Sequence, residues 1–379
     1  MSTNWKFTDC KEKPLLLFSC LDWGLGHTTR SVPLIKEFLI LGCDLIVACN
    51  STQKAILQPE FPDISFVELE GYGIKYARNT WVTRFKIILQ LSKILTRIKR
   101  ENRWLNSFIS ENKIDGLISD NRYGLYHPKI PCVFITHQLS IRSGYGGLAD
   151  KISQKILYRF INRFSVCWVP DYEKTHKLAG ILSHPKTPPS IPVQYIGALS
   201  RLSPCKRLAE KKIDVLVIIS GPEPQRTILE SLIIKQSDSL TARKIVLVRG
   251  LPDVANYKLP SAMTIFNHLD SGALNKLVCE SEFIVCRSGY TTIMDMVKLK
   301  KKMIVIPTPG QPEQEYLARY LSENHFALAF AQKNFDLAFA LQKATNFTFN
   351  QIDTNMDEYK VVLRDFTDKI SSLSPSSPY

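Results

Sequence analysis

The sequence lacks any long uninterrupted hydrophobic run. A membrane-spanning helix needs about 18 or more consecutive apolar residues, and no apolar stretch in the chain approaches that length. The first residues, MSTNWKFTDCKEKP, also lack the hydrophobic centre of a secretory signal. We therefore expect a protein that is made in the cytoplasm and stays there.

Cysteine spacing of the kind that metal sites use is also missing. The nine cysteines are scattered, most of them in apolar segments, and no C-x-x-C pair occurs. Buried, unpaired thiols are typical of cytoplasmic proteins. The pattern predicts reduced cysteines, with neither disulfides nor a zinc site.

Acidic residues are outnumbered. Lysine plus arginine total 49 against 35 acidic residues, which gives a formal net charge of +14. Such a charge favours nucleic acid, phosphorylated metabolites or an anionic membrane as partners, although a solvated basic surface explains it equally well. Because the sequence contains no motif of interleaved basic and aromatic residues, we expect no nucleic-acid partner.

The chain does contain short apolar strands that alternate with helical patterns, in two series. The first series runs from PLLLFSC to VQYIGAL, and the second from DVLVIIS to KMIVIPTPG. Such strands predict parallel sheets covered on both faces, so the expected fold class is α/β, with two doubly wound Rossmann-like domains facing a cleft. The predicted boundaries are an N-terminal domain over 1–200, a linker over 201–212, a C-terminal domain over 213–350, a helix over 351–370 and a disordered tail over 371–379.

Ligands of such sheets bind at the carboxyl ends of the strands, and the first of these ends is followed by DWGLGHTTR. Gly24 and Gly26 permit a tight turn, but Thr29 stands where a dinucleotide fingerprint needs a third glycine, and no G-K-[ST] follows. His27 then has two interpretations: it is a general base facing the cleft, or it caps or packs the turn.

Two later strand ends of the first domain add polar side chains. Asp120 follows DGLIS, and His137 follows CVFIT. We predict that both residues, together with Gly26, lie on the acceptor side of the cleft. There Asp120 and His137 either orient His27 or bind the acceptor, and the alternative for each is a turn cap or a loop hydrogen bond.

The second domain has polar loops at three strand ends, namely SGPEPQRT, RSGYTT and PGQPEQE. The first two open helices, whose N-termini offer free backbone N–H groups to a phosphate. The amides and carboxylates of the third loop suit sugar hydroxyls. Each loop alone is compatible with an ordinary strand–helix connection, but the three together favour a nucleotide-sugar site.

The segment CRSGYTTIMDMVKLKKKMIVIPTPGQPEQEYLA resembles the donor-binding signature of glycosyltransferase family 28. The resemblance is specific over about 213–330 and extends more loosely to the first domain through GLGHTTR. It implies a GT-B fold and inverting transfer from a UDP-sugar to a hydroxyl, without a cofactor or a required metal. The expected acceptor is a lipid-linked or cell-envelope glycan. An epimerase of UDP-N-acetylglucosamine and a non-catalytic nucleotide-sugar-binding protein are the alternatives.

The same resemblance implies the donor-binding residues. Backbone N–H groups at two helix starts, with Arg287 or Arg226 nearby, would stabilise charge on the leaving diphosphate. Asp295 stands where the family has a glutamate that binds the ribose. His268 and Leu269 match the segment that passes the uracil. The positions implied at the phosphates are Ser220, Gly221, Ser288, Gly289, Thr291 and Thr292, and those at the sugar are Gln311 and Gln314.

The resemblance also implies that His27 deprotonates the acceptor hydroxyl. The chain departs from the family in the loop SGPEPQ, where two prolines remove backbone N–H donors. Donor affinity or identity is therefore open to change, and the acceptor is the least transferable part of the comparison.

One further segment, TRFKIILQLSKILTRIKRENRWL at residues 83–105, is both basic and amphipathic. Its isoleucines and leucines recur at helical spacing. It predicts a helix that either lies on an anionic membrane, at the inner face, or buries its apolar side in the domain core.

Overall fold

The computed structural model describes residues 13–22, 24–72, 91–142, 146–174, 176–205, 211–251, 263–352 and 355–373 of the 379-residue chain. Over these residues the chain forms two parallel sheets, each covered by helices. The two-domain α/β architecture predicted from the alternating strands is therefore confirmed.

The first sheet has the strand order β3-β2-β1-β4-β5-β6-β7, and all pairs are parallel. Its central strands are apolar on both faces, because helices cover both sides. The strands are β1 (Leu15–Cys20), β2 (Asp44–Cys49), β3 (Ser65–Glu68), β4 (Gly116–Asp120), β5 (Cys132–Ile135), β6 (Val166–Val169) and β7 (Val193–Tyr195).

The helices of this domain connect the strands. They are α1 (Leu25–Ile40), α2 (Ser51–Leu57), α3 (Leu91–Glu111) and α4 (Gly147–Ile161). Because β1 lies between β2 and β4, the direction of winding changes there and opens a crevice beyond the carboxyl ends of β1 and β4. The turn from β1 into α1 is at this crevice.

The second sheet repeats the arrangement with the order β10-β9-β8-β11-β12-β13. Its crevice lies between β8 and β11. The strands are β8 (Ile213–Ile218), β9 (Ile245–Val248), β10 (Thr264–Phe266), β11 (Ser281–Cys286), β12 (Lys302–Val305) and β13 (Ala327–Ala329). The helices are α5 (Gln225–Ser237), α6 (Ser271–Glu280), α7 (Tyr290–Lys298), α8 (Pro312–Glu323) and α9 (Leu337–Thr345).

The last helix, α10 (Glu358–Leu373), packs against the first domain. The ring of Phe366 lies 6.4 Å from that of Phe38 on α1 and 5.5 Å from that of Trp168 on β6. The helix begins and ends later than the predicted 351–370, and it extends into the predicted tail. The sequence interpretation predicted a helix here but not the domain that the helix joins.

The prediction that the chain has no disulfide is wrong for one pair. Cys205, in the linker, is bonded to Cys279 at the end of α6, with their Cα atoms 5.4 Å apart. The two residues are 74 positions apart in the sequence, so their proximity depends on how the linker passes α6, which local patterns do not contain. The described cysteines of the strands, such as Cys132 and Cys286, are buried free thiols, as expected.

The basic amphipathic segment is described only from residue 91 onward, and residues 83–90 lie outside the described part of the chain. Within α3, Ile98 is buried against Tyr72 and Leu21, whereas Leu95 remains 45% exposed. The apolar side of the helix is therefore partly used by the domain core. Among the described helices, none has the length and hydrophobicity required to cross a bilayer.

Candidate active site

His27 lies in the first turn of α1, at the crevice of the first sheet. The helix begins after Gly24, whose φ of 78° is in the left-handed region that glycine adopts easily. No side chain caps this helix start, and the His27 side chain is 16% exposed. Its Nδ1 atom lies 3.0 Å from Oδ1 of Asp120, the last residue of β4.

Asp120 is buried, and cationic or N–H donors surround its carboxylate. Arg30, one turn after His27 on α1, donates from Nε to Oδ2 at 2.7 Å and from Nη2 to Oδ1. Burial alone would raise the pKa of Asp120, but the charge of Arg30 and the interaction with His27 outweigh it and hold the pKa well below its usual range. Asp120 is therefore ionised at neutral pH.

The contacts of His27 determine its tautomer. An ionised carboxylate only accepts hydrogen bonds, so Nδ1 of His27 carries the proton and donates a hydrogen bond to Asp120. Nε2 of the neutral ring then has a free lone pair. Burial lowers the pKa of His27, and the positive charge of Arg30 lowers it further, against the opposing effect of Asp120. His27 is thus neutral near pH 7 and can accept a proton at Nε2.

His137, which follows β5, is also part of this network. Its Nδ1 atom accepts from Nη1 of Arg30 at 3.3 Å, because a guanidinium can only donate. The proton of the neutral ring is therefore on Nε2, which donates to Oε1 of Glu313 at 2.7 Å. The ring stacks on that of Tyr290, with centroids 4.3 Å apart. Glu313 and Tyr290 belong to the second domain, so His137 spans the cleft.

The start of α7 faces the start of α1 across this cleft. The hydroxyl of Thr291 donates to the carbonyl of Gly26 at 3.2 Å. A Cβ atom on Gly26 would lie 3.0 Å from that hydroxyl, so a larger residue there would press against α7. Gly289 precedes α7 without a side-chain cap, and a Cβ built there meets no atom within 4 Å. Space is therefore left beside Gly289 at the start of α7.

The other implied donor residues lie around the same edge of the second sheet. Ser220 and Gly221 are exposed, and Gly221 has a φ of 105°. The buried hydroxyl of Ser288 donates to the carbonyl of Gln314 at 2.8 Å, while Thr292 is half-buried. The Gln314 side chain accepts from the backbone N–H of residue 308. Gln311, the residue before α8, is half-buried and its side chain makes no capping bond to the helix.

The two arginines implied at the diphosphate have protein partners. Arg226 is buried and pairs with Glu223 at 2.5 Å and with Glu230. Arg287 is buried and donates to three backbone carbonyls, of which that of Gln225 lies at 2.7 Å. Burial lowers the pKa of Arg287 to about 10. Neither guanidinium is directed at open solvent, because each one ties loops of its own domain together.

Asp295 lies within α7 and is also buried. It accepts from the hydroxyl of Ser200, the last residue before the linker, at 2.5 Å. Burial raises the pKa of Asp295 to about 6, although this hydrogen bond and nearby cations oppose the shift. His268 and Leu269 are half-buried between β10 and α6, where Leu269 packs on the main core. The hydrogen bond of Asp295 thus holds the end of the first domain against α7.

The sequence interpretation did not name Arg30 or Tyr290 as members of the site, and it placed Glu313 only among the carboxylates of the sugar loop. Arg30 had a usable signal, because it is three residues after His27 on a helix and so lies on the same face. The contacts of Glu313 and Tyr290 with His137 had none, since they depend on how the two domains meet. Among the described residues, no group of three His, Cys, Asp or Glu side chains is arranged to hold a metal ion.

Comparison with known proteins identifies the domain and the fold. The family model described as "Glycosyltransferase family 28 C-terminal domain" matches residues 216–370. A curated relative from Buchnera aphidicola subsp. Schizaphis graminum (strain Sg) is 22% identical over 361 residues, which cover 92% of this chain and 94% of the relative. It is named UDP-N-acetylglucosamine--N-acetylmuramyl-(pentapeptide) pyrophosphoryl-undecaprenol N-acetylglucosamine transferase.

Solved structures share the whole architecture at low sequence identity. The glycosyltransferase SnogD from Streptomyces nogalater is 15% identical with a TM-score of 0.54, covering 95% of this chain and 96% of that one. The spinosyn rhamnosyltransferase SpnG, complexed with thymidine diphosphate, is 14% identical with a TM-score of 0.58, covering 95% and 98%. The chain is therefore a glycosyltransferase with the GT-B fold, and its second domain matches the model of the family 28 C-terminal domain from residue 216 onward.

Proposed function

We propose that this glycosyltransferase moves a hexose or N-acetylhexosamine from a UDP-sugar to a hydroxyl of a lipid-linked acceptor, with inversion at the sugar. The observation on which this rests is His27, which is hydrogen-bonded to Asp120 in the first turn of α1, where Gly26 contacts Thr291 at the start of α7. The name of the curated relative, which transfers N-acetylglucosamine to a pyrophosphoryl-undecaprenol compound, supports the choice of donor and acceptor.

In this mechanism His27 acts as the general base. Its Nε2 atom takes the proton of the acceptor hydroxyl while the oxygen attacks the anomeric carbon from the face opposite the diphosphate. The C–O bond to the phosphate breaks, and UDP leaves with the electron pair. Asp120 stabilises the imidazolium that forms, because its carboxylate stays ionised beside Nδ1.

The leaving diphosphate acquires negative charge in the transition state. The backbone N–H groups at the start of α7, where Gly289 leaves space, are the proposed donors to that charge. Arg226 and Arg287 contribute indirectly, through the loops they hold. The sugar lies beside Gln311 and Gln314, and the ribose lies beside Asp295. The uracil ring lies beside His268 and Leu269. The residues around the phosphates are Ser220, Gly221, Ser288, Thr291 and Thr292.

A lipid-linked acceptor requires the enzyme to work at a membrane surface. Helix α4 carries an exposed apolar row, Leu148, Ile152 and Ile156, with exposed fractions of 75, 54 and 50%. These residues recur at four-residue spacing, so they share one face, and exposed Lys151, Lys155 and Arg159 flank them. An apolar row beside cations suits an anionic bilayer, which extends the proposal to the inner face of the membrane.

The direct test is transfer of labelled sugar. The protein is incubated with UDP-N-acetylglucosamine, UDP-galactose or dTDP-glucose and a lipid extract containing polyprenyl-diphosphate-linked sugars, and labelled lipid is counted. We expect one UDP-sugar to label the lipid fraction. Conversion of the donor alone to an epimer, or UDP binding without transfer, would contradict the proposal. Calorimetric titration with UDP and dTDP shows independently which nucleotide the second domain binds.

A further inference from the structure

His137 is held by both domains at once. From the first domain, Arg30 donates to its Nδ1 atom at 3.3 Å. From the second domain, Glu313 accepts from Nε2 at 2.7 Å, and Tyr290 stacks on the ring at 4.3 Å with the planes 14° apart. The ring is 5% exposed. Both edges and one face of the imidazole are therefore fixed, two of these contacts coming from across the cleft.

Glu313 lies in the loop that the proposed function assigns to the sugar. It is in the first turn of α8, next to Gln314 and two residues after Gln311. Its side chain is 33% exposed, and its pKa is lowered: burial would raise it, but His137 outweighs burial. An ionised Glu313 thus connects the sugar loop to His137 by a charge-assisted hydrogen bond when the two domains meet as they do here.

The hydrogen bonds continue from His137 to His27, the proposed general base. Arg30, which His137 holds through Nη1, forms two hydrogen bonds to Asp120, and Asp120 orients His27 through Nδ1. An uninterrupted series of hydrogen bonds therefore runs from Glu313 in one domain to His27 in the other. Tyr290 supports the same ring and donates to the carbonyl of Pro170, so a second contact across the cleft fixes its position.

We infer that His137 is a positioning residue, which with Glu313 couples docking of the second domain to the orientation of His27. This inference rests on the proposed function, in which His27 is the general base. When the domains separate, His137 loses Glu313 and Tyr290, and Arg30 loses a fixed acceptor. His27 is then oriented correctly only when Glu313 of the sugar loop is bonded to His137. Deprotonation of the acceptor is thereby restricted to the state in which the domains are docked.

Three variants separate the contacts. His137→Phe keeps a ring on Tyr290 but removes both hydrogen bonds, and Glu313→Ala removes the acceptor across the cleft. Glu313→Gln keeps an acceptor oxygen for Nε2. Ser271→Ala is the matched control, because the Ser271 hydroxyl donates to Glu60 across the domains at 2.6 Å without joining this series.

We expect unchanged UDP affinity in calorimetry for all four variants. The kcat of sugar transfer should fall by about tenfold to a hundredfold in His137→Phe and Glu313→Ala, the range expected from small misplacement of a catalytic group. Glu313→Gln should restore most of it, and Ser271→Ala should stay near wild type. In an Asp120→Asn background, Glu313→Ala should lower kcat little further, because the series of hydrogen bonds to His27 is already interrupted at Asp120. Additive losses, or equal losses in Glu313→Gln and Glu313→Ala, would overturn the inference.

A spectroscopic readout keeps the inference distinct from the proposed function. If the wild-type protein transfers no sugar, the proposed function fails, and ¹⁵N spectra of protein labelled at histidine still report the His27 tautomer. We expect the wild type to show His27 protonated at Nδ1, with His27 signals that shift in His137→Phe and Glu313→Ala but not in Ser271→Ala. Identical His27 signals in all of these proteins would refute the coupling, whatever the activity.

Discussion

The sheets of the two domains share the order of their first six strands, and the first sheet has β7 in addition, but the domains use their charged residues in opposite ways. In the first domain, side chains at the strand ends converge on one point, where Asp120 is bonded to both His27 and Arg30. In the second, Arg226 and Arg287 are bonded to carboxylates and carbonyls of their own domain. In the proposed mechanism, the first domain accordingly supplies the reacting side chain, whereas the second supplies backbone N–H groups and the shape of the site.

The largest effect is expected from His27→Ala, which removes the side chain at the centre of the first domain's network. Loss of a general base should lower the transfer rate by about a thousandfold while UDP binding is retained. In the wild type, the rate should fall only when the pH drops below the ordinary pKa of histidine, because burial and Arg30 lower the pKa of His27 and the neutral form is the active one. A pH–rate profile with its acid limb above pH 7, or normal transfer by the variant, would remove His27 as the base.

Gly289→Val tests the second half of the comparison. Gly289 has φ −74° and ψ 135°, which any residue can adopt, and a Cβ there meets no atom within 4 Å. The variant should therefore fold normally, but its side chain should cover the backbone N–H groups of α7 and weaken UDP binding by about tenfold or more. Gly147→Val, at an equally open position on α4, is the control. Equal UDP affinity in both variants would show that the diphosphate lies elsewhere.

Asp295→Asn tests whether a carboxylate of the second domain serves stability or binding. Its pKa is raised from 3.8 to about 6, so the folded state prefers the protonated acid, and stability is lost as the pH rises through 6. Asparagine should raise the free energy of unfolding at pH 7.5 by at most about 3 kcal/mol, and this gain should disappear near pH 4. Denaturant titrations at both pH values measure it. If Asp295 also binds the ribose, UDP should stabilise the variant less than the wild type.

Arg226→Gln should have the smallest effect on the donor. Its guanidinium pairs with Glu223 and Glu230, so removing it should change UDP affinity by less than about twofold, although the protein should lose stability because Glu230 loses a buried partner. Calorimetry at two salt concentrations measures the affinity. A tenfold loss of UDP affinity in the folded variant would mean that the arginine turns toward the phosphates, and the contrast between the domains would fail.

Much of this could be predicted from the sequence, because parallel sheets impose a simple rule. Apolar strands such as LLLFSC and IDVLVI identify both sheets, and the strand-end rule selected His27, Asp120 and His137 before any distance was known. The hydrogen-bond partners of Arg226 and Arg287 were not predictable. The sequence shows that a cation follows a strand, but it does not show which carboxylate or carbonyl the cation contacts in the folded domain. The Glu313–His137 contact and the Cys205–Cys279 bond depend on long-range geometry that local spacing does not encode.

The position of α10 has a consequence for how the protein is made. Phe366 fills the space beside Phe38 and Trp168, so the core of the first domain contains a residue from near the end of the chain. On the ribosome, where N-terminal domains generally fold first, the first domain emerges early yet has to wait for the last helix before its core closes. The core of the first domain is thus completed only after the second domain has been translated, and a polypeptide released before α10 would leave an apolar surface on the domain that bears the proposed base.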